Sequence, residues 1–261
     1  MTEHLEQSPA LPPPTLIEVA APGVCAAVRE EIYVRRARWR ARVLNGQPPF
    51  YTLGGAAYLD LGFARGSIDD YLDSAGSVWD SAGEPTRTIL DAVRTQLAAY
   101  LGQPVEFPRH LPPPGFHLFI GAGIPRRDCT RSVLDCGSTH FDMQYEYIPW
   151  RRWYRDVDVE RTISFTLALN LPDAGGGLKV WEPLTLDRVR DDLAARRFPD
   201  LATAANMTPA VTVPYVVGSM VVHSGHLLHQ IAGVGRCTVM DERITLQGHG
   251  LFADGVWRLY W

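Results

Sequence analysis

Before Pro112, the apolar residues recur at the spacing of helices. The most regular segment is 84–101, where every fourth position is apolar, at Ile89, Val93, Leu97 and Leu101. Gly102 follows at the position where a helix commonly ends. The pattern predicts three helices, Val24–Val43, Ser67–Ser74 and Glu84–Leu101, and a stretch of strand character at Phe50–Leu61. We expect these helices to pack outside a sheet.

After Pro112, the pattern changes to short apolar runs separated by turn residues. Eight strands are predicted there: Phe116–Ile120, Ser138–Tyr147, Arg161–Leu171, Leu178–Glu182, Val211–Val222, Leu227–Ile231, Cys237–Gly248 and Val256–Trp261. A helix predicted at Leu184–Arg197 is inserted among them. Strands and turns at this spacing are typical of an antiparallel sandwich or barrel. The predicted fold class is therefore mainly β with supporting helices.

The clearest predicted strand is Arg161–Leu171. Small, mostly polar residues occupy every second position from Thr162 to Asn170, and bulky apolar residues occupy the positions between them. A small polar face opposite a bulky apolar one suits the wall of a wet cavity whose back packs on the rest of the protein. The alternative is a polar face that is turned to solvent.

Length and composition limit the possible classes of protein. A chain of 261 residues, 46% of them hydrophobic, suits one globular domain. We place it at residues 15–261, with 15–111 as mostly helical support, 112–261 as a barrel core with a helical insertion near 184–197, and 1–14 as a disordered lead-in. A net charge of −4 gives no electrostatic reason to expect nucleic acid.

Localisation is inferred from two sequence features. The longest apolar runs are too short to span a bilayer. The N-terminus has no basic segment followed by an apolar one, so a secretion signal is not indicated and the cytoplasm is the expected compartment. The oligomeric state is not indicated by the sequence.

The four cysteines, Cys25, Cys129, Cys136 and Cys237, form no CxxC pair. Free thiols are the expectation for a cytoplasmic chain, because disulfides are rare in that compartment. Cys129 and Cys136 flank a loop, so a bridge between these two is the alternative.

The candidate chemistry begins at His140-Phe141-Asp142, which opens a predicted strand. The side chains of His140 and Asp142 project to the same side of an extended segment because they are two positions apart. A second histidine from a distant strand would complete three ligands on one face of a metal ion. The opposite face would stay open for a cosubstrate and dioxygen, as non-haem Fe(II) oxygenases require. By itself the three-residue pattern is common, and a surface hydrogen-bonded pair is the alternative.

Three histidines, His223, His226 and His229, are candidates for the second histidine ligand. We favour His229, because in an extended strand it shares a face with Leu227 and Ile231 and would point inward with them. His226 adjoins a Ser-Gly turn and would point away, and His223 ends the preceding predicted strand.

Arg243, Thr245 and Gln247 share one face of a later predicted strand. An arginine that points into a barrel is costly unless it binds an anion. The distal carboxylate of a dicarboxylate, held by the guanidinium with the threonine hydroxyl beside it, would satisfy this requirement. The alternative is a structural ion pair with Asp241 or Asp142.

These residues together resemble the Fe(II)- and 2-oxoglutarate-dependent dioxygenases, whose double-stranded β-helix carries HxD, a distal His and then Arg-x-Ser/Thr. The resemblance covers roughly 116–261. The segment Gly175–Trp181 resembles the "GG-L-x-W" turn and strand of many members, and Gly218–Val222 resembles the strand that leads to the distal histidine. The fourteen-residue step from His229 to Arg243 is longer than in many members, which leaves Arg236 as a rival.

The resemblance implies a set of site residues, cofactors and a reaction. It implies His140, Asp142 and His229 as ligands of Fe(II), and Arg243 and Thr245 as the residues that hold 2-oxoglutarate. The expected reaction uses O2 and 2-oxoglutarate as cosubstrates, hydroxylates a C–H bond, and releases succinate and CO2. Halogenating members replace the carboxylate ligand with a small residue, so the presence of Asp142 favours hydroxylation.

The expected substrate is a small molecule, such as an amino acid or another carboxylate metabolite, and no nucleic-acid or membrane partner is expected. Substrate selection is assigned to loop residues near the HxD motif: Arg126, Arg127, Arg131 and the segment 150–154. A solvated basic loop is the alternative interpretation of these arginines. Two other classes remain open, a cupin-type metalloenzyme and a non-catalytic barrel that binds a small ligand.

Overall fold

The structure is a computed structural model that describes residues 13–42, 50–62, 67–121, 138–173, 176–233, 238 and 240–261. Its helices are α1 (Pro22–Val34), α2 (Tyr58–Gly62), α3 (Ile68–Ser81), α4 (Glu84–Leu101), α5 (Leu186–Ala194) and α6 (Leu201–Met207). Single 3-10 turns occur at Arg36–Arg38, Gln144–Tyr147 and Trp150–Arg152. None of the helices in the described ranges is both long and apolar enough to cross a membrane.

Twelve strands are found in the described residues. They are β1 (Thr15–Glu18), β2 (Arg40–Arg42), β3 (Phe50–Leu53), β4 (Val105–Glu106), β5 (Gly115–Ile120), β6 (Val157–Asn170), β7 (Gly177–Thr185), β8 (Val211–Pro214), β9 (Ser219–His223), β10 (Leu227–Ala232), β11 (Glu242–Ala253) and β12 (Val256–Tyr260). The segment predicted as helical support, 15–111, contains α1–α4 and also four of these short strands.

The strands form two sheets. The larger has the order β1-β9-β6-β11-β5-β3-β2, with β12 paired to β11 and β4 paired to β12. The smaller has the order β10-β7-β8, and His140 extends it through an antiparallel bridge to His229. Residues of both sheets pack together in one apolar cluster that includes Ala168 and Val221 from the larger sheet and Val180 and Leu227 from the smaller. The predicted antiparallel sandwich is therefore confirmed.

The main core lies between the outer face of the larger sheet and the helices α1 and α4. Ile163, Phe165 and Leu167 of β6 are buried there against helix residues such as Val28 and Ile89. The opposite, polar face of β6 is also buried, since Ser164 and Thr166 line an internal cavity. The interpretation of this face as a cavity wall is confirmed, and the solvent-facing alternative is wrong.

Helix α4 has the predicted bounds because both of its ends are specified. Gly102 adopts φ 64°, a left-handed conformation that ends the helix without the strain a Cβ would add. At the other end, the Glu31 carboxylate accepts hydrogen bonds from the backbone N–H groups of Gly83 and Thr86. A carboxylate is favourable at a helix N-terminus because the first N–H groups have no partner within the helix. This contact also joins α1 to α4.

A second contact joins α1 to the start of β11. The Arg29 guanidinium and the Tyr33 hydroxyl both donate to the Glu242 carboxylate, and the Asn170 side chain donates to the Glu242 backbone carbonyl at 3.1 Å. Burial first, and then the Glu242 charge, raise the pKa of Tyr33 to about 12. The tyrosine is therefore a neutral hydrogen-bond donor at neutral pH.

Several predictions of N-terminal elements were wrong in extent. Helix α1 ends at Val34 rather than Val43, because the chain turns there to form the edge strand β2, which pairs with β3. Only Phe50–Leu53 of the predicted strand is extended. The remainder turns into α2, where Asp60 binds the guanidinium of Arg42. Helix α3 runs on to Ser81, beyond the predicted end at Ser74.

The predicted strand Ser138–Tyr147 is wrong. His140 makes only an isolated bridge, and Gln144–Tyr147 forms a 3-10 turn. The physical reason is that Tyr145, Ile148 and Trp150 turn away to join a separate apolar cluster instead of continuing along the sheet.

The boundaries of several later elements also differ from the prediction. The predicted strand Val211–Val222 is two strands, separated by a turn in which Gly218 adopts φ 83°. The last long strand runs over Glu242–Ala253, instead of ending at Gly248. The insertion contains α6 as well as α5. Cys25 is buried and unbridged, whereas Cys129, Cys136 and Cys237 lie outside the described residues.

Candidate metal centre

Backbone hydrogen bonds hold the HxD segment in an extended conformation, although it is not part of a strand. The N–H of His140 donates to the carbonyl of His229 at 3.0 Å, and the reverse bond measures 3.1 Å. The N–H of Asp142 donates to the carbonyl of Gly225 at 3.0 Å. These bonds lay the segment along β10, so that the side chains of His140 and Asp142 point to the same side as His229.

One possible ligand atom from each of His140, Asp142 and His229 lies within 4.8 Å of the other two. The Nε2 atom of His229 is 3.3 Å from Oδ2 of Asp142, and Nε2 of His140 is 3.5 Å from Oδ1. Asp142 and His229 are buried, while the His140 side chain is 35% exposed. The cluster is therefore closed on the barrel side and accessible on the His140 side.

Hydrogen bonds on the far side of each imidazole set the tautomers of the two histidines. Nδ1 of His140 lies 2.7 Å from the carbonyl of Ser138, and Nδ1 of His229 lies 2.9 Å from that of Leu227. A carbonyl only accepts, so Nδ1 carries the hydrogen in both rings. The lone pair of each Nε2 is left free to bind a cation, which is how metal-binding histidines are usually oriented.

The surrounding charges keep Asp142 ionised. Burial alone would raise the pKa of its carboxyl group, but the nearby imidazoles of His229, His249 and His140 lower it well below 3.8. Burial likewise tends to lower the pKa of His140, but its contacts with Asp142 outweigh burial and raise it. The cluster thus has the charge distribution of a cation site, one carboxylate with two imidazoles.

The two rival histidines have other contacts. His226 is buried, and its Nε2 lies 2.9 Å from the Tyr145 hydroxyl. His223 lies beside His229, with ring centroids 4.5 Å apart, and its Nδ1 is 2.8 Å from the carbonyl of Ser224. Burial lowers the pKa of His223 to about 3, so this ring is neutral. In the described residues, the only group with metal-ligand geometry contains His229 and neither rival.

His249 is part of this environment and was missed by the sequence analysis. Its Nδ1 is 3.1 Å from the Ser164 hydroxyl and 3.8 Å from Oδ2 of Asp142. Burial lowers its pKa, which favours the neutral ring. The sequence does contain a signal for His249, because it follows Arg243, Thr245 and Gln247 at every second position. It was not identified because the predicted strand ended at Gly248, one residue before it.

Arg243 is inside the barrel and 1% exposed. Its guanidinium lies 4.3 Å from the centroid of the Phe119 ring, and Nη1 makes a long 3.4 Å bond to the carbonyl of Ala232. Nε and Nη2 have no hydrogen-bond partner among the described residues, nor does the buried hydroxyl of Thr245. Burial lowers the pKa of Arg243 to about 10, so it is still a cation at neutral pH.

The structural ion pair suggested as the alternative role of Arg243 is not formed. Within the described ranges, which include Asp142 and Asp241, no carboxylate lies within 4.0 Å of its guanidinium. A buried cation with two unpaired N–H groups suits an anionic ligand, because an uncompensated buried charge is costly. The rival Arg236 lies outside the described residues.

An internal cavity of about 40 Å³ adjoins the cluster. It extends between the two sheets from His249 past Thr166 to Leu178 and Ile231. Two imidazoles and one carboxylate beside a cavity match the three-ligand set of non-haem iron sites, which leaves coordination positions open. The residues present therefore fit an iron ion.

A larger groove of about 570 Å³ is lined in part by Tyr145 and His226, which contact each other. Its lining includes Trp150, Arg151 and Arg152 from the segment to which substrate selection was assigned. Trp150 itself is buried in an apolar cluster, so only the two arginines of this turn are exposed. Arg126, Arg127 and Arg131 lie outside the described residues.

Solved structures share this architecture. SnoK, a non-haem α-ketoglutarate-dependent carbocyclase from nogalamycin biosynthesis, is similar over 94% of this chain and 81% of its own, with a TM-score of 0.56 and 14% identity. The epimerase SnoN, in complex with Fe3+, α-ketoglutarate and nogalamycin RO, is similar over the same shares, with a TM-score of 0.53 and 12% identity. No protein-family model and no curated protein matches the sequence.

The fold is therefore that of the non-haem iron, 2-oxoglutarate-dependent oxygenases, the double-stranded β-helix, and the predicted fold is confirmed. The order of the strands agrees with it. Successive barrel segments alternate between the sheets, from β5 to the HxD segment, β6, β7 and β8, and then β9, β10 and β11. Among these segments of the described chain, only β7 and β8 are successive members of the same sheet. At these identities the similarity is one of fold.

Proposed function

We propose that the chain is an Fe(II)- and 2-oxoglutarate-dependent oxygenase that hydroxylates a C–H bond of a small molecule, with release of succinate and CO2. The observation that carries the proposal is the pairing of two features within one fold. A cluster of two histidines and one carboxylate has metal-ligand geometry, and a buried arginine on β11 of the larger sheet has nitrogen atoms without a hydrogen-bond partner in the described residues.

His140, Asp142 and His229 would hold the Fe(II) ion. Their Nε2 atoms and carboxylate already face one another, and the Nδ1 hydrogens are held by backbone carbonyls. When bound, iron of this type supplies activation of dioxygen, coupled to the decarboxylation of 2-oxoglutarate. The barrel contributes orientation and a closed interior, which shields the reaction from water.

Arg243 and Thr245 would bind the distal carboxylate of 2-oxoglutarate. The two unpaired guanidinium N–H groups match a carboxylate, and the unpaired Thr245 hydroxyl can donate to the same group. Both residues are buried on β11, where Arg243 pairs with Phe119 of β5 and Thr245 pairs with His117 of β5 and Ala168 of β6. The ligand would also neutralise an otherwise uncompensated buried charge.

A small-molecule substrate is supported by the groove that Tyr145 and His226 line in part. Its floor is largely apolar, with Ile148 and Leu186 among its residues, and exposed arginines stand at its rim. SnoK and SnoN are named as a carbocyclase and an epimerase, so hydroxylation is proposed here on the retained carboxylate, Asp142, which halogenating members of the resembled family lack. The proposed compartment is the cytoplasm.

Two measurements test the proposed function. Fe(II) and 2-oxoglutarate added without oxygen should produce a visible charge-transfer band, and oxygen should then yield succinate, most rapidly with the correct substrate. A panel of free amino acids and related carboxylates, assayed for stimulated succinate release, would identify the substrate class. A folded protein that gives neither the band nor succinate would instead support the cupin-type or non-catalytic alternatives.

The ligand assignment has its own test. In His229→Ala, the metal affinity should fall by more than the roughly 10–100-fold loss that is typical of outer-sphere partners, because a direct ligand is removed. His226→Ala is the matched control, since its imidazole contacts Tyr145 rather than the cluster. Affinity would be measured by calorimetric titration with Fe(II) under argon. A selective loss in His226→Ala would show that the distal ligand is misassigned.

A further inference from the structure

The two oxygens of the Asp142 carboxylate have different surroundings. Oδ2 is closest to Nε2 of His229, at 3.3 Å, with His249 at 3.8 Å. Oδ1 lies 3.5 Å from Nε2 of His140, and it alone accepts a hydrogen bond, of 3.0 Å, from the side-chain amide of Gln144, two residues further on. The chain therefore already distinguishes the two oxygens.

The position of Gln144 is fixed by the turn that follows the HxD segment. It is the first residue of the 3-10 turn Gln144–Tyr147, and it is 6% exposed. This turn is where the segment leaves the sheet, so the amide reaches back to Asp142 instead of pointing along a strand. The segment therefore has the pattern His-x-Asp-x-Gln, in which the glutamine side chain donates a hydrogen bond to the aspartate.

Only one end of the Gln144 amide is satisfied. Nε2 donates to Asp142, but Oε1 is buried and has no hydrogen-bond partner among the described residues. A buried carbonyl oxygen without a partner costs free energy of folding. A glutamine kept for stability alone would be expected to pair both ends or to give way to an apolar residue. The contact that Gln144 makes is instead the hydrogen bond to the Asp142 carboxylate.

We propose that Gln144 is a positioning residue that fixes Oδ1 of Asp142, so that Oδ2 is the oxygen offered to the metal ion. This inference rests on the proposed function. A hydrogen bond to a carboxylate is stronger than one between neutral groups and sets the plane of the acceptor. A carboxylate that binds through one oxygen occupies one coordination position, and a second position is left for a cosubstrate.

The test removes the donor and keeps the volume. Gln144→Met should weaken the binding of Fe(II), titrated without oxygen, by about 10–100-fold. The visible spectrum of the Co(II)-loaded protein should also change, because the number of carboxylate oxygens on the ion changes. The unfolding temperature of the metal-free protein should be unchanged or higher, since the unpaired Oε1 is removed with the donor.

Gln103→Met is the matched control. Oε1 of Gln103 accepts from Arg161 and from Trp257, far along the chain from the metal cluster, so this variant should lower the unfolding temperature and leave the metal affinity intact. If Gln144→Met does not fold, Gln144→Asn keeps the amide but shortens its reach, and the same loss of metal affinity is expected.

Three outcomes are distinct. If the wild-type protein binds neither Fe(II) nor Co(II), the proposed function fails. If the wild type binds metal and Gln144→Met binds it equally well with the same Co(II) spectrum, the positioning role is overturned. If Gln144→Met instead lowers the metal-free unfolding temperature without a change in metal affinity, the glutamine is structural and the inference also fails.

Discussion

At the scale of single residues, a buried charge without a counter-ion in the described residues is the feature most informative about ligands. Arg243 carries a charge inside the barrel, and it has the Phe119 ring and one long bond to a carbonyl for compensation. The free energy that this burial costs is recovered only when an anion arrives. Replacing Arg243 by an apolar residue should therefore weaken ligand binding and raise the stability of the ligand-free protein.

Arg243→Met tests this opposition. We expect the affinity for 2-oxoglutarate to fall by about 100-fold, equivalent to about 2.8 kcal/mol, because a buried charged contact is lost. The unfolding temperature without cosubstrate should rise, since an uncompensated charge is removed. Calorimetric titration and thermal unfolding give the two quantities. Arg94→Met, at an exposed i,i+3 ion pair with Asp91, should change neither by a comparable amount. Unchanged cosubstrate affinity would move the role to Arg236.

Spacing and the inward faces of predicted strands favoured His140, Asp142, His229 and Arg243 as site residues, and the structure brings the first three together. The residues around them were not predicted. Gln144 was not predicted, because the segment was read as a strand, in which position 144 shares a face with Asp142 but cannot turn back toward it. Only the 3-10 turn creates that contact.

At the scale of elements, the site is held by turns as much as by strands. Gly218 lies in the turn between β8 and β9, and its carbonyl accepts from the N–H groups of Val19 and Ala20. A Cβ at Gly218 would overlap the carbonyl oxygen of Ala20, and φ is +83° there. The turn thus joins the smaller sheet, the larger sheet and the segment between β1 and α1.

Gly218→Ala should lower the free energy of unfolding by about 2 kcal/mol or more. The strained φ costs about 1–2 kcal/mol, and the overlap with Ala20 adds to it. Gly76→Ala is the control, because Gly76 lies within α3 and a Cβ there meets nothing within 4 Å. That change should raise stability by about 0.5–1 kcal/mol. Urea unfolding of both variants gives the comparison, and equal effects would contradict the argument.

The Arg42–Asp60 contact ties β2 to α2 and predicts a dependence on pH. The Asp60 carboxylate accepts bonds of 2.6 and 2.9 Å from Arg42. Burial tends to raise its pKa, but these bonds and a backbone N–H outweigh burial and lower it below 3.8. A lowered carboxyl pKa in the folded state stabilises the fold above the unfolded pKa, and this contribution is lost as the pH falls through the folded value.

The matching experiment is Asp60→Asn at several pH values. At pH 7 we expect the variant to be less stable by about 1–2 kcal/mol. The difference between wild type and variant should shrink as the pH falls below the unfolded value of about 4 and through the lower folded value, because the wild-type carboxyl group then becomes protonated as well. Urea unfolding at each pH measures it. If the difference in stability between wild type and Asp60→Asn does not change with pH, the Arg42 contact does not lower the pKa of Asp60.

At the scale of the whole molecule, the fold was predictable where burial imposes a regular period. The alternation along β6 and the four-residue spacing along α4 placed these elements, because each buries one continuous face. The failure at Ser138–Tyr147 has a different origin. There the chain leaves the sheet to join an apolar cluster with residues that are distant in sequence, such as Leu251 and Tyr260, and local periodicity carries no signal of such a contact.

Metal and cosubstrate should stabilise the complete protein. A ligand that binds only the folded state at 100 times its Kd adds about 2.7 kcal/mol, which corresponds to an increase in Tm of about 5–10 °C for a chain of this size. Co(II) with 2-oxoglutarate in thermal unfolding measures the effect without redox chemistry. The increase should disappear with EDTA and should be absent in His229→Ala. A chelator-insensitive Tm would contradict metal binding at the site.

The hydrogen bonds from Arg29 and Tyr33 of α1 to Glu242 of β11 bear on the order in which the site forms during synthesis. A ribosome makes α1 long before β11, yet the residue that precedes Arg243 is held by that earlier helix. A nascent chain that stops before β11 contains His140, Asp142 and His229, but it lacks Arg243 and the strand that joins β6 to β5 in the larger sheet. The two parts of the proposed site therefore come together only when β11 docks.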